Sequence, residues 1–189
     1  MVSAVLAAGV TVGGCGSDVT TFDSAGYVTV EDLNANADAM VIGTVGDLLA
    51  TERDNGGEPE IDDEGRAAGI PMAFYEFSVE RVVRGQVPGT IVVSWLDLGQ
   101  ASNTEELSAL SKGQHVVLWL DHLTADDMPG IESFADVWVP LSGDNGVMDI
   151  AGDQATARSS VLTGLDSGSR VSDEPLTVDL DSLEATARG

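Results

Sequence analysis

Apolar and polar residues alternate most clearly in the middle of the chain. In Met72–Leu98, Tyr75, Phe77 and Val79 alternate with Glu76, Ser78 and Glu80. That period of two marks a strand with one face covered and one face wet. Arg84-Gly85-Gln86-Val87-Pro88-Gly89 then supplies turn residues, and Ile91, Val92, Val93 and Trp95 continue as a second strand. The pattern predicts a central pair of strands around which the other elements are added.

Upstream, Thr29-Val30-Glu31-Asp32 has the spacing to cap a short helix over about residues 30–37. A strand over Ala39–Leu48 follows, with Gly43 inside it as a bulge or bend signal. Residues 50–71 are acidic, glycine-rich and aperiodic, the pattern of a mobile surface loop. Downstream, Glu105–Leu110 reads as a helical turn. His115–Leu120 (HVVLWL) reads as a strand covered on both faces. Asp121–Gly130 is an acidic loop. Asp136–Leu141 and Gly146–Ile150 read as a hairpin closed by Ser142-Gly143-Asp144-Asn145-Gly146. A weak helical stretch lies near Ala155–Leu162. A terminal helix follows over Asp179–Arg188, with capping-box spacing at Asp181 and Glu184 and one apolar face at Leu180, Leu183 and Ala187.

Short strands with turn signals and no alternation of strand and helix argue for a mainly β protein. The expected architecture is a small antiparallel OB-like barrel of five to six strands with short flanking helices. The 189 residues allow one domain plus tails.

The amino terminus is different. Residues 2–12 (VSAVLAAGVTV) are apolar but too short to span a bilayer, and they run into Val12-Gly13-Gly14-Cys15. An aliphatic residue, two small residues and a cysteine after a short apolar run resemble the lipobox of bacterial and some archaeal lipoproteins. That resemblance implies a signal peptide over residues 1–14, removal before Cys15, and a lipid joined to its thiol. The absence of Lys and Arg before the apolar run departs from the usual pattern. Residues 15–28 then form a lipidated polar tether, and residues 29–189 the OB-like domain with its C-terminal helix. The membrane partner is reached through lipid on Cys15, on the extracytoplasmic face.

Charge narrows the field further. There are 32 acidic residues against 8 basic ones, for a net charge of −24, and Lys112 is the only lysine. Nucleic acid is excluded as a partner, because phosphate contacts need clustered cations. Charge-driven binding to anionic lipid is excluded for the same reason. The single cysteine allows no internal disulfide.

The order of GTV, YEFSVERVVRGQVPGTIVV, LSKGQHVVLWL, WVPLSGDNGVMDI and LDSLEATAR resembles uncharacterised secreted lipoproteins with an OB-like, inhibitor-like barrel. The likeness covers about residues 37–188. It implies a domain that binds something and carries no catalytic signature.

Candidate chemistry is sparse. His115 and His122, seven positions apart, fall on opposite faces of an extended strand; a strand-edge and a loop histidine is the simpler reading than a shared metal site. Asp166-Ser167-Gly168-Ser169 matches the aspartic-protease tetrapeptide, but it lies in a Ser/Gly-rich stretch without a second copy. No G-x-S-x-G, G-x-G-x-x-G or P-loop pattern occurs. The acidic runs at residues 58–64 and at Asp121, Asp126 and Asp127 lack EF-hand spacing and read as solvated loops. Trp95, Trp119 and Trp138 each fall in a predicted strand. Strand packing accounts for them first; an exposed one would give a ligand platform on the barrel face. The expectation is a non-catalytic extracytoplasmic module for an unknown protein or small molecule, with no cofactor and no metal. The alternative is a secreted enzyme or enzyme inhibitor with a site built from acidic loops.

Overall fold

The computed structural model describes residues 27–57, 61, 65, 69–99, 107–166, 168 and 174–188. The lipobox with Cys15, and most of the tether, lie outside the described residues. The elements are α1 (Val30–Asn36), β1 (Ala39–Asp54), β2 (Ile70–Arg84), β3 (Thr90–Leu96), β4 (His115–Thr124), β5 (Asp136–Pro140), β6 (Val147–Ala151), β7 (Gln154–Ala157), β8 (Thr177–Asp179) and α2 (Leu180–Arg188).

β1 pairs antiparallel with β2 along one edge and with β4 along the other. The strands therefore close a ring in the order β1–β2–β3–β5–β4–β1. This is a mainly β, OB-like arrangement with five strands in the ring. It departs from the expected barrel in two ways. β3 and β5 run parallel, so the sheet is mixed. The sheet also continues past β4 through β6, β7 and β8, giving eight strands rather than five or six.

Parity explains the core. Val41 and Val45 of β1, Phe77 of β2, Val93 of β3 and Leu118 of β4 belong to one apolar cluster. Met40 and Ile42 of β1 and Val117 and Trp119 of β4 point the other way. They join a second cluster with Val30 and Leu33 of α1 and Leu183 and Ala187 of α2. Both faces of β4 are covered, and residues 116–120 are each 0% exposed. That accounts for the unbroken apolar run in the sequence. A third cluster packs Phe74 and Val137 against Met128 and Ile131 of the β4–β5 connection.

Several local expectations hold. Asp32 N donates to Thr29 Oγ1 and Thr29 N donates to Asp32 Oδ2, each at 3.1 Å, which is a capping box for α1. The β1–β2 register shifts at Gly43. A Cβ there would sit 2.1 Å from the Ser78 carbonyl oxygen and 2.7 Å from Phe77 Cε1. Only glycine permits that approach.

Other expectations are corrected. β1 runs on to Asp54 and β2 starts at Ile70, so both ends of the expected 50–71 loop are paired strand. β4 continues to Thr124, which puts His122 in a strand rather than a loop. Residues 107–110 are irregular, not helical. Asp136–Leu141 and Gly146–Ile150 do not form a hairpin. β5 pairs with residues 120–124 of β4 and β6 with residues 116–118, both antiparallel to β4. The two segments thus follow one edge of β4 in the same direction, and Ser142–Gly146 is looped out between them as a 3-10 turn at Gly143–Gly146. Ser142 and Gly143 supply the left-handed conformation, with φ of 56° and 60°. Residues 155–162 are not helical either. Ala155 and Ala157 alternate with Gln154 and Thr156 and are buried in β7. The cap of α2 is Asp179, whose Oδ1 accepts from Asp181 N (3.0 Å) and Ser182 N (3.3 Å). Glu184 has a different role, taken up below.

Candidate functional site

β3 and β5 meet at a single registered pair, Val93 with Trp138. Before that pair, Thr90–Val92 of β3 have β2 on one side and no strand partner on the other among the described residues. A cleft of about 320 Å³ opens there. Ile91, Val92, Pro88 and Leu49 form its apolar wall, Trp138 and Asp136 come from β5, and Glu76 comes from β2.

Each polar group is placed by strand geometry. Trp138 lies directly opposite His122 across the β4–β5 ladder. Directly opposed side chains are within contact range, and the two rings stack at 4.5 Å between centroids with 25° between planes. Asp136 is two residues before Trp138, hence on the same face. Its Oδ1 lies 3.2 Å from His122 Nε2, a diagonal cross-strand pair. Glu76 projects beside Gly46, where a Cβ would lie 3.1 Å from Glu76 Oε1. The bulges of β1 between Val45 and Ala50 leave Leu49 47% exposed at the rim.

The three tryptophans do not share a face. Trp119 is wholly buried under α1, and its Nε1 donates to Asn34 Oδ1 (2.8 Å). Trp95 is also core, with Nε1 donating to the Ser108 carbonyl oxygen (3.0 Å). Trp138 is 8% exposed and belongs to the same apolar cluster as Trp95, so all three candidate residues of the ligand face, Trp95, Trp119 and Trp138, are buried, and of them Trp138 borders the cleft. Glu76, Asp136 and Leu49 are additional lining residues that the sequence did not single out. Only the cross-strand register brings them together, and no local pattern carries that register.

The remaining candidates have structural roles. His115 lies opposite Thr44 in the β1–β4 ladder, with Nε2 3.2 Å from Glu80 Oε2. Asp127 Oδ2 accepts from Thr124 N and Oγ1, and these hydrogen bonds hold its carboxyl below the usual range. Asp166 Oδ1 accepts from Gly168 N (2.9 Å), closing a turn, while Ser167 and Ser169 are outside the described residues. Of the acidic run at 58–64 only Ile61 is described. Among the described residues no three His, Cys, Asp or Glu side chains converge as metal ligands. No helix among them is long and apolar enough to cross a membrane.

A polar clasp ties the segment before β4 to β6 and to the residue after β7. Arg158 is 3% exposed in its side chain and donates to both oxygens of Asp149 (2.7 and 3.0 Å) and to Gln114 Oε1 (3.0 Å). Asp144, 5% exposed, accepts from Ser108 N through Oδ2 (2.9 Å), while its Oδ1 has no hydrogen-bond partner among the described residues. Burial pushes the Asp144 carboxyl above the ordinary range, and the Ser108 hydrogen bond and nearby Arg158 only partly offset it. Chemically, the cleft offers an apolar wall with the Asp136 carboxylate on the Trp138 side of the sheet and the Glu76 carboxylate on the Val92 side. No family model matches this chain, and no curated protein matches it in sequence.

Proposed function

We propose that this chain is a non-catalytic binding module of the extracytoplasmic face, tethered to the membrane by lipid on Cys15. The observation that supports the binding role best is the cleft between β3 and β5, with Trp138 and a stacked His122 beside it. Clefts that mix apolar walls with a few placed polar groups are the usual form of ligand sites. The anchor rests on the Val12-Gly13-Gly14-Cys15 sequence and on the position of the one cysteine in the chain. A polar tether after the anchor sets the domain off from the bilayer, and its negative charge keeps it from settling on anionic headgroups. The reading also agrees with the resemblance of its sequence segments to secreted lipoproteins with an OB-like barrel.

The test is fractionation of Cys15→Ser against the parent chain, with mass spectrometry of the amino terminus. The parent should be found in membranes, cut before Cys15 and carrying acyl mass. The variant should appear in the medium. A variant that stays in the membrane fraction, or a parent with an unmodified thiol and an intact leader, rejects the anchor.

A further inference from the structure

The tripeptide Asp-Asn-Gly occurs twice, at Asp54-Asn55-Gly56 and at Asp144-Asn145-Gly146. An asparagine followed by glycine can lose ammonia without an enzyme, because no side chain on the glycine shields its nitrogen from the carboxamide. The local sequence is the same at both places, so any difference between them comes from the fold.

The second copy is closed. Asn145 is 4% exposed and lies in the 3-10 turn between β5 and β6, where its N donates to the Ser142 carbonyl oxygen (3.3 Å). Gly146 is pressed onto the chain at Leu141, and a Cβ there would lie 2.4 Å from the Leu141 carbonyl oxygen. The Asp144 carboxylate is taken by Ser108 N. A main chain held in this way brings the Gly146 nitrogen onto the carboxamide only by local opening.

The first copy is open and aligned. Asn55 follows the last β1–β2 pair, Asp54 with Ile70, and Gly56 and Gly57 beyond it are exposed. Nothing lies within 4 Å of a Cβ built on Gly56. Gly57 N donates to Asn55 Oδ1 (2.9 Å). That oxygen is where negative charge gathers when a nucleophile adds to Cγ, and a backbone N–H already aimed at it stabilises the charge. Gly56 N donates to Asp54 Oδ1 (3.0 Å), so the proton it must give up points at a carboxylate rather than at a strand partner.

We infer that Asn55 is a site of self-deamidation in the folded protein and that the fold protects Asn145. Gly56 N adds to Asn55 Cγ and loses its proton, the Cγ–Nδ2 bond breaks, and Nδ2 leaves as ammonia. The product is a five-membered imide. Water then opens it at Cγ to give aspartate, or at the main-chain carbonyl to give isoaspartate. Either way one carboxylate replaces one carboxamide. Isoaspartate also lengthens the main chain where Gly69 and Gly130 pack so closely that a Cβ on them would lie 2.8 Å from Asn55 Cα and 2.7 Å from Asn55 N. The modified turn therefore moves off the β4–β5 connection.

The full chain in neutral detergent is incubated folded, in mildly alkaline buffer made with 18O water, beside a sample unfolded in guanidinium chloride. Peptide mass spectrometry follows both Asn-Gly steps, and solvent 18O in the new carboxyl marks conversion during the incubation. Unfolded, the two steps should convert alike. Folded, Asn55 should convert within about threefold of its unfolded rate, and Asn145 at least about tenfold more slowly than its own. Gly56→Ala should slow Asn55 by about tenfold or more, since a methyl then crowds the attacking nitrogen. Asn145 keeping pace with Asn55 in the folded chain overturns the inference, as does an Asn55 still intact there once the unfolded chain has reacted. Conversion of Gly56→Ala at the parent's rate overturns the imide route.

Discussion

Glu184 gives the sharpest test of how α2 is held to the sheet. Its side chain is 6% exposed, and both oxygens are engaged, Oε1 by Arg81 of β2 and Oε2 by Arg188 Nη2 at 2.5 Å. The two arginine side chains remain 55% and 58% exposed. The triad is therefore asymmetric. Glu184→Gln leaves two guanidiniums that water can solvate, and the amide oxygen still accepts one hydrogen bond. The cost should be about 1 kcal/mol, the scale of a single partly exposed polar contact. Arg81→Met with Arg188→Met removes the same two ion pairs but strands a carboxylate out of water. Breaking a buried pair from that side costs about 3–5 kcal/mol. For a domain of this size 1 kcal/mol moves the Tm by roughly 2–4 °C. Thermal melts at neutral pH should therefore fall by about 3 °C for Glu184→Gln and by about 10 °C or more for the double arginine variant. Adding Glu184→Gln to the double variant should restore part of the loss, because it removes the stranded charge. A double arginine variant no less stable than Glu184→Gln, or a triple variant no better than the double, would refute the reasoning.

Two further predictions concern packing and pH. Gly43→Ala places a methyl 2.1 Å from the Ser78 carbonyl oxygen, so urea unfolding should show a loss of about 3 kcal/mol by overpacking; Gly89→Ala, with nothing within 4 Å of the new Cβ, should be near neutral, and equal midpoints for the two would sink the account. Asp144 is raised by burial, so its ionisation costs the folded state stability once pH passes the unfolded carboxyl value of about 3.9. Asp144→Asn should therefore gain on the parent as pH rises from about 4 toward neutrality. A stability gap that stays flat or narrows over that window would count against it.

Some of this molecule is written in local pattern. The alternation of Tyr75, Phe77 and Val79 with Glu76, Ser78 and Glu80 states which face of β2 is covered, because side chains on a strand alternate by geometry alone. The unbroken HVVLWL run states that β4 is covered on both faces, and Thr29 with Asp32 states where α1 begins. These are properties of a few neighbouring residues, and they were sufficient for a mainly β, OB-like fold. The tertiary structure alone decided which edges meet. Asp136–Leu141 and Gly146–Ile150 carry hairpin signals, yet both lie along β4, because its edge was long enough to pair with each in turn and the turn between them could be looped out. β7 is hidden in a Ser/Gly-rich stretch, since Ala155 and Ala157 are too small to signal a strand and gain burial only beneath the helices. The cleft belongs to the same category. Glu76 and Ile91 are far in sequence from Asp136 and Trp138, and only the single meeting of β3 with β5 brings the two segments to one opening. Burial preference is a property each side chain carries with it, whereas register and strand partner are settled by competition among edges distant in the chain.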